Sequence, residues 1–339
     1  MQDFIASLLA QHNPFVLFRF PGQARMHCYY QQDQAAHYTQ DYTEEGFVFA
    51  PFTAQAQQLF IPATHQREFS LPEATPATSS LKLSLRDKAA FVEKVAAALE
   101  AIALTSLEKV VLSNAFSFPY KGEAINVFAR LATHYPNAFV SYWFHPKTGQ
   151  WLGASPEQLI ALDECQLSTV ALAGTLGRDA TAADWTQKEL HEQQLVVESI
   201  VEELRQSGAV QNIHLGERST IQAGQLYHLQ TPIRTSLQSK KLPILIQALH
   251  PTPAVGGFPK ATALHYINEK EGYNREYYTG FLGPFSKGTT AKLFVNLRCG
   301  KMAKDLLTLY TGAGITSGSI PASEWEEICR KASTFLAAL

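Results

Sequence analysis

The chain has 339 residues, 46% of them hydrophobic and 17% charged, with 28 basic side chains against 30 acidic ones. A chain of this length can bury a substantial core in one large or two ordinary domains, and the composition is that of a globular protein. A net charge near −2 offers no electrostatic footprint for nucleic acid or for an anionic membrane.

The four cysteines, Cys28, Cys165, Cys299 and Cys329, are scattered and contain no CxxC pair, as befits reduced thiols in a cytoplasmic protein. The opening stretch MQDFIASLLAQHNPF has no basic leading region and takes up polar residues too early for a signal peptide. No window approaches 18 uninterrupted apolar residues, so no membrane span is expected.

In chain order, residues 1–85 contain short apolar runs, Phe15-Val16-Leu17-Phe18 and Gly46-Phe47-Val48-Phe49-Ala50, that read as strands between loops. They show no evident chemistry. Leu71–Ser84, rich in Pro, Ser and Thr, is the best boundary. Residues 1–85 are therefore expected to be a divergent N-terminal part of the same fold, and 86–339 the catalytic region. Phe91, Val92, Val95, Ala96, Leu99 and Ile102 recur at helical spacing, which predicts a helix over 87–104. Lys109–Leu112 reads as a strand, 125–135 as a helix and 138–144 as a strand. Two strands flank a turn across 151–173, and a long helix covers 185–206. Strand 227–233 and helices 243–250 and 259–270 follow, the last entered through Pro259. Strand-like runs at 277–282, 291–299 and 305–311 precede a helix from Pro321. Strands and helices mix without strict alternation, which predicts an α+β fold.

The C-terminal helix carries Glu324, Glu327 and Lys331 at i, i+3 and i+7, so the three share one face. Two carboxylates one turn apart beside the glycine-rich TGAGITSGS can hold a hard cation such as Mg2+. On spacing alone a solvated face with a Glu–Lys pair is the plainer reading. Helix 185–206 offers Glu189, Glu192, Glu198, Glu202 and Glu203, and periodicity cannot choose among them. Lys109 opens an apolar strand, either as an exposed strand end or as a buried amine able to act as a base. Glu157 follows Gly-Ala-Ser-Pro at a turn, His228 reads as a packed histidine, and Arg298 in VNLRCG needs an anionic partner. The chain contains no GxGxxG, GxxxxGK[ST], HExxH or nucleophile elbow.

Taken together, KVVL (109–112), GASPE (153–157), ALAGT (171–175), HLQTPI (228–233), LHPTPAVGGFPKATAL (249–264), REYYTGFLG (275–283), LRCG (297–300), TGAGI (311–315) and SEWEEICRK (323–331) resemble the chorismate-utilising enzymes, in order and over about 88–339. The resemblance implies the anthranilate/aminodeoxychorismate synthase-like fold, large layered sheets with helices packed outside, together with a bound Mg2+. It implies that Glu192 and Glu327 are metal-binding carboxylates and that Glu324 is a third, acting through water. Gly174, Thr175 and His228 match substrate-site residues, and Tyr278, Arg298, Gly312 and Lys331 match those holding the carboxylates of chorismate.

Two positions discriminate among reactions within the family. Lys109 matches the lysine with which isochorismate and salicylate synthases activate water, where aminating members commonly carry glutamine. Ala173 stands where aminodeoxychorismate synthases carry a nucleophilic lysine. The resemblance thus implies an isochorismate synthase, an isomerase, with Lys109 as general base in a lowered-pKa form and Glu157 as general acid in a raised-pKa form. Salicylate synthase, an aminating subunit and an inactive binding protein are the alternatives. No obligatory amidotransferase partner is expected, and neither a menaquinone nor a siderophore pathway is singled out. The chain departs from its relatives at Gln193, where histidine is frequent, at Thr235 and Arg234, and at Asn114.

Overall fold

The run Phe15-Val16-Leu17-Phe18 shows how the architecture is built. All four side chains are buried, yet they alternate between two cores: Phe15 and Leu17 point to one, Val16 and Phe18 to the other. A strand buried on both faces reads as a continuous apolar run because neither face meets water. The computed structural model describes residues 1–54, 56–72, 74, 76–77, 81, 83–177, 185–223 and 226–339.

Two large antiparallel sheets result. The first runs in the order Gly257–Phe258, Lys109–Pro119, Leu306–Thr316, Cys299–Ala303, Gly149–Ser155, Phe139–His145, Phe15–Arg19, Arg25–Tyr30 and Gln66–Ser70. The second runs Val210–Leu215, Leu226–Leu237, Gln166–Gly177, Gln158–Asp163, Thr290–Val295, Phe281–Ser286, Glu45–Ala50, Gln58–Pro62 and His37–Thr39, with Ser219–Ala223 beside Leu226–Leu237. Residues before 71 thus contribute three strands to each sheet.

An aromatic core lies between the sheets, joining Phe18, Phe139, Trp143 and Trp151 of the first to Phe47, Phe49 and Phe294 of the second. Phe139 and Phe294 stack across it at 4.1 Å between centroids. The helices lie outside. Gln2–Ala10 and Ala124–His134 cover one stretch of the first sheet, and Leu85–Leu104, Lys260–Lys270 and Pro321–Leu336 cover another. Gln187–Gln206 and Leu242–Leu249 cover the second sheet. The fold is α+β with the sheets as inner layers. No helix among the described residues is long and apolar enough to cross a membrane.

Some expectations change. Helix Gln2–Ala10 was not foreseen. The run 277–282 is a turn that becomes a strand only at Phe281, because Tyr277 O and Thr279 N are taken by Asn296 at 2.8 and 2.9 Å. The segment 151–173 holds three strands rather than two, since the chain changes sheet between Ser155 and Gln158. The Leu71–Ser84 connection lies partly outside the described residues.

One buried ion pair ties these elements together. Arg275 meets both oxygens of Glu271, Nε to Oε2 at 2.6 Å and Nη2 to Oε1 at 2.7 Å, and both side chains are 1% exposed. The guanidinium also donates to the carbonyls of Val111 at 2.7 Å and Val255 at 2.8 Å. Ser113 donates to Glu271 Oε1 through both its amide, at 2.8 Å, and its hydroxyl, at 2.6 Å. Removing one partner of such a pair leaves an uncompensated charge, so Arg275→Met is expected to destabilise by about 3–5 kcal/mol. Urea unfolding measures it, and a loss below about 1 kcal/mol would show that the network is not a keystone.

Candidate active site

Two of the places where the chain passes between the sheets are neighbours. Pro156 and Glu157 link Gly149–Ser155 of the first sheet to Gln158–Asp163 of the second, and Asn296, Leu297 and Arg298 make the return from Thr290–Val295 to Cys299–Ala303. The crossings are stitched together by Val295 N donating to Glu157 O at 3.0 Å and Ala154 N donating to Arg298 O at 3.3 Å. Arg298 was expected inside a strand; it stands in the break with φ +49°, where the ladder must end for the chain to change sheets. A cavity opens beside the crossings.

Of the residues singled out in the sequence, Glu157, Gly174, Thr175, Glu192, His228, Tyr278, Arg298, Gly312 and Lys331 line this cavity. Lys109, Glu324 and Glu327 stand behind it, each touching a lining residue or the lysine next to one. Lys109 is fully buried, which decides the earlier alternative in favour of a buried amine. Its Nζ lies 3.2 Å from Glu192 Oε1 without the alignment of a hydrogen bond, and it has no hydrogen-bond partner among the described residues. Glu192 is the buried acid of its helix, 8% exposed, whereas Glu198 and Glu202 are exposed.

Burial pushes the Glu157 carboxyl up to about 7, against the opposing pull of Thr252, Lys109, Lys331 and Arg298. Thr252 Oγ1 donates to Glu157 Oε1 at 3.3 Å. His228 is held neutral, its pKa pushed down to about 3 by burial and then by the Arg298 guanidinium. Its Nδ1 lies 2.8 Å from Gly174 O and its Nε2 3.3 Å from Arg298 Nη2. Arg298 can only donate, so Nδ1 carries the proton and gives it to the Gly174 carbonyl. Gly174 itself has φ +75°, a conformation glycine adopts without a steric penalty.

The carboxylates assigned to metal are each met by a lysine. Besides Lys109–Glu192, Lys331 Nζ donates to Glu327 Oε1 at 2.7 Å and to Gly312 O at 3.0 Å, and Lys188 Nζ lies 2.8 Å from Glu324 Oε1. Among the described residues, no three His, Cys, Asp or Glu side chains converge as a preformed ligand set. Burial and then Glu327 push Glu324 up to about 7, while Lys331 and Lys188 outweigh burial and hold Glu327 down at about 2. Glu324 Oε2 is buried with no hydrogen-bond partner among the described residues. That orphaned oxygen and the hard carboxylate donors fit a Mg2+ ion, which takes one or two protein carboxylates and leaves other positions to water and an anionic ligand.

Three residues of the site were not singled out in the sequence. Thr252 and Gly314 sit inside quoted motifs without drawing attention. Lys188 precedes Glu192 by one helical turn, and this i, i+4 relation was the available signal. At Gly314 an added Cβ would come within 2.3 Å of Glu192 Oε1 and 3.1 Å of Lys109 Cε, so only glycine leaves room for that contact. The departures from the family pattern have structural partners. Gln193 donates to Thr231 Oγ1 at 2.8 Å, Asn114 accepts from Lys94 at 2.9 Å, Thr235 donates to Gln211 O at 2.5 Å, and Arg234 is exposed.

The sequence pattern of the chorismate binding enzymes matches residues 27–339. The chain belongs to that family. It is 31% identical over 307 residues to isochorismate synthase EntC of Escherichia coli K12, covering 83% of this chain and 77% of that protein. It is 32% identical over 280 residues to isochorismate synthase MenF of Haemophilus influenzae, covering 78% and 63%. Among solved structures, MenF, the menaquinone-specific isochorismate synthase from Escherichia coli, superposes with a TM-score of 0.83 at 23% identity, over 96% of this chain and 88% of that one. The family match reaches back to residue 27 and so takes in strands of both sheets that lie before the proposed boundary.

Gly314→Ala is expected to drive the Glu192 carboxylate off Lys109 and to destabilise by about 1–3 kcal/mol through overpacking. Thermal denaturation and a crystal structure of the variant check this. An unmoved Glu192 would show that the site has slack the geometry denies.

Proposed function

We propose that the chain is an isochorismate synthase, converting chorismate to isochorismate by adding water at C2 and expelling the C4 hydroxyl. The observation that carries this reading is a buried acid whose pKa stands at about 7 on the cavity wall of a chorismate-binding enzyme, with a fully buried lysine behind that wall beside the lining residue Glu192. Both EntC and MenF, which this chain resembles, are named isochorismate synthases. Ala173, buried on the cavity wall, supplies no nucleophilic amine that would compete with water.

In this reading Lys109 takes a proton from water as the oxygen attacks C2. Glu157, protonated, gives its proton to the hydroxyl leaving C4, so one proton enters and one departs. Arg298, Lys331 and Tyr278 hold the substrate carboxylates, with Gly312, Gly174 and Thr175 shaping the wall. His228 is too weakly basic to transfer protons near neutrality, so it orients Arg298 through Nε2. Mg2+ held by Glu192 and Glu327, with Glu324 acting through water, would neutralise the ring carboxylate and draw electron density from the diene. A cytoplasmic enzyme working without an amidotransferase partner belongs to the same reading.

Chromatography of the products from chorismate with Mg2+ tests the assignment. Isochorismate is the expected product, with kcat reduced about 10²–10⁴-fold in Lys109→Ala and in Glu157→Gln. Salicylate with pyruvate would reassign the chain to the two-step synthases. The pH profile makes a second test. Glu157 acts only while protonated, so the rate should fall about tenfold per unit as pH rises above about 7. The Thr252 hydrogen bond favours the ionised form, so Thr252→Val should move that limb to higher pH. An unmoved limb would detach Glu157 from the proton transfer.

A further inference from the structure

Lys188 has no part in the reaction described above. It lies one turn before Glu192 on the helix Gln187–Gln206, so the two side chains share a face. Its Nζ is 2.8 Å from Glu324 Oε1 and 4.0 Å from Glu189 Oε1, with 18% of the side chain exposed against 1% for Glu324. Although burial acts to lower its pKa, the charges of Glu327, Glu324 and Glu192 prevail and keep the amine protonated. The ammonium thus touches Glu324, one of the carboxylates assigned to metal, from the helix that carries Glu192.

The pairing is incomplete. Glu324 Oε2, on the far side of the same carboxylate, has no hydrogen-bond partner among the described residues. Ser319 is near enough to act on its charge, but its hydroxyl accepts from Thr316 N at 3.2 Å and makes no aligned bond to Oε2. A lysine on a flexible four-carbon stem is a point charge that can withdraw, unlike a guanidinium locked in a fork. Two like-charged carboxylates one turn apart in a buried site require a cation, and a lysine and a divalent ion cannot both take the same oxygen.

We propose that Lys188 is a built-in counter-cation of this carboxylate cluster, which competes with a divalent ion for Glu324 and so sets how weakly the enzyme holds its metal. The proposal rests on the metal reading of Glu192, Glu324 and Glu327. It makes Lys188 a positioning residue: the ammonium holds the carboxylates apart and ready, and yields Glu324 when the ion arrives.

Isothermal titration calorimetry of Mg2+ into the full chain and into Lys188→Met, in the absence of chorismate, tests this. The variant is expected to bind Mg2+ about tenfold more tightly, the usual size of a coupling between competing ligands. Without Mg2+ its thermal midpoint at pH 8 should fall by at least about 2 °C, and Lys188→Met combined with Glu324→Gln should recover the loss relative to Glu324→Gln alone. If Lys188→Met folds too poorly to purify, Lys188→Gln carries the same comparison. Equal or weaker Mg2+ binding by the variant, where the parent does bind the ion, overturns the proposal alone. If neither chain binds Mg2+, the metal reading falls and the proposal with it.

Discussion

A charge taken out of water must be paired, and most of this structure's particular features follow from where it buries charge. Between its two sheets the protein places a largely aromatic core, but around the cavity beside the crossings it gathers lysines, glutamates and arginines that are buried or mostly so. Each has an opposite charge, a carbonyl or a glycine gap beside it. Lys109 faces Glu192, Lys188 faces Glu324, Lys331 faces Glu327 and Arg275 faces Glu271. Such pairs add little net stability over apolar packing, but a broken pair is expensive, so they specify geometry more than they strengthen the fold.

The pairs divide by what they can do. Glu271–Arg275 is saturated: every strong donor of the guanidinium has a carboxylate, hydroxyl or carbonyl, and it pins Val111 and Val255, which both line the cavity. The lysine pairs at the site are single contacts to carboxylates that keep a second oxygen or an imperfect angle. Saturation makes a scaffold, whereas incomplete pairing leaves groups able to change partners as substrate and ion arrive. Glu157, poised at about 7, is the extreme case, since burial outweighs the pull of its cationic neighbours.

Why the chemistry collects at the crossings has a geometric answer. Inside a sheet, side chains are committed to one face or the other and the backbone to the ladder. Where the chain leaves one sheet for the next, at Pro156–Glu157 and Asn296–Arg298, both commitments lapse. Arg298 takes φ +49° there and turns its guanidinium toward His228. The β-strand elements thus form the walls, and the breaks between them carry Glu157 and Arg298, the proposed acid and substrate-binding cation.

Local pattern was enough for most elements, because alternation and helical periodicity are short-range consequences of which faces are buried. It identified the long helix, whose inner stripe is Leu195, Val196, Ile200 and Leu204 in the structure, and the shared face of Glu324, Glu327 and Lys331. Ordered motifs, read as family resemblance, selected Glu192 from five acids that periodicity could not rank. Tertiary structure decided which charges distant in sequence meet, whereas Lys331–Glu327 and Arg275–Glu271 are i, i+4 pairs. Lys188 and Glu324 are 136 positions apart, counted as 324 − 188, and no local rule joins them. The roles of Thr252 beside Glu157 and of Gly314 between Glu192 and Lys109 are likewise distances across the fold. The break at Arg298 was hidden because a strand that changes sheet keeps an apolar sequence on both sides. Burial pattern is written in adjacent residues, but the pairing of buried charges far apart in sequence is settled only when sheets and helices pack.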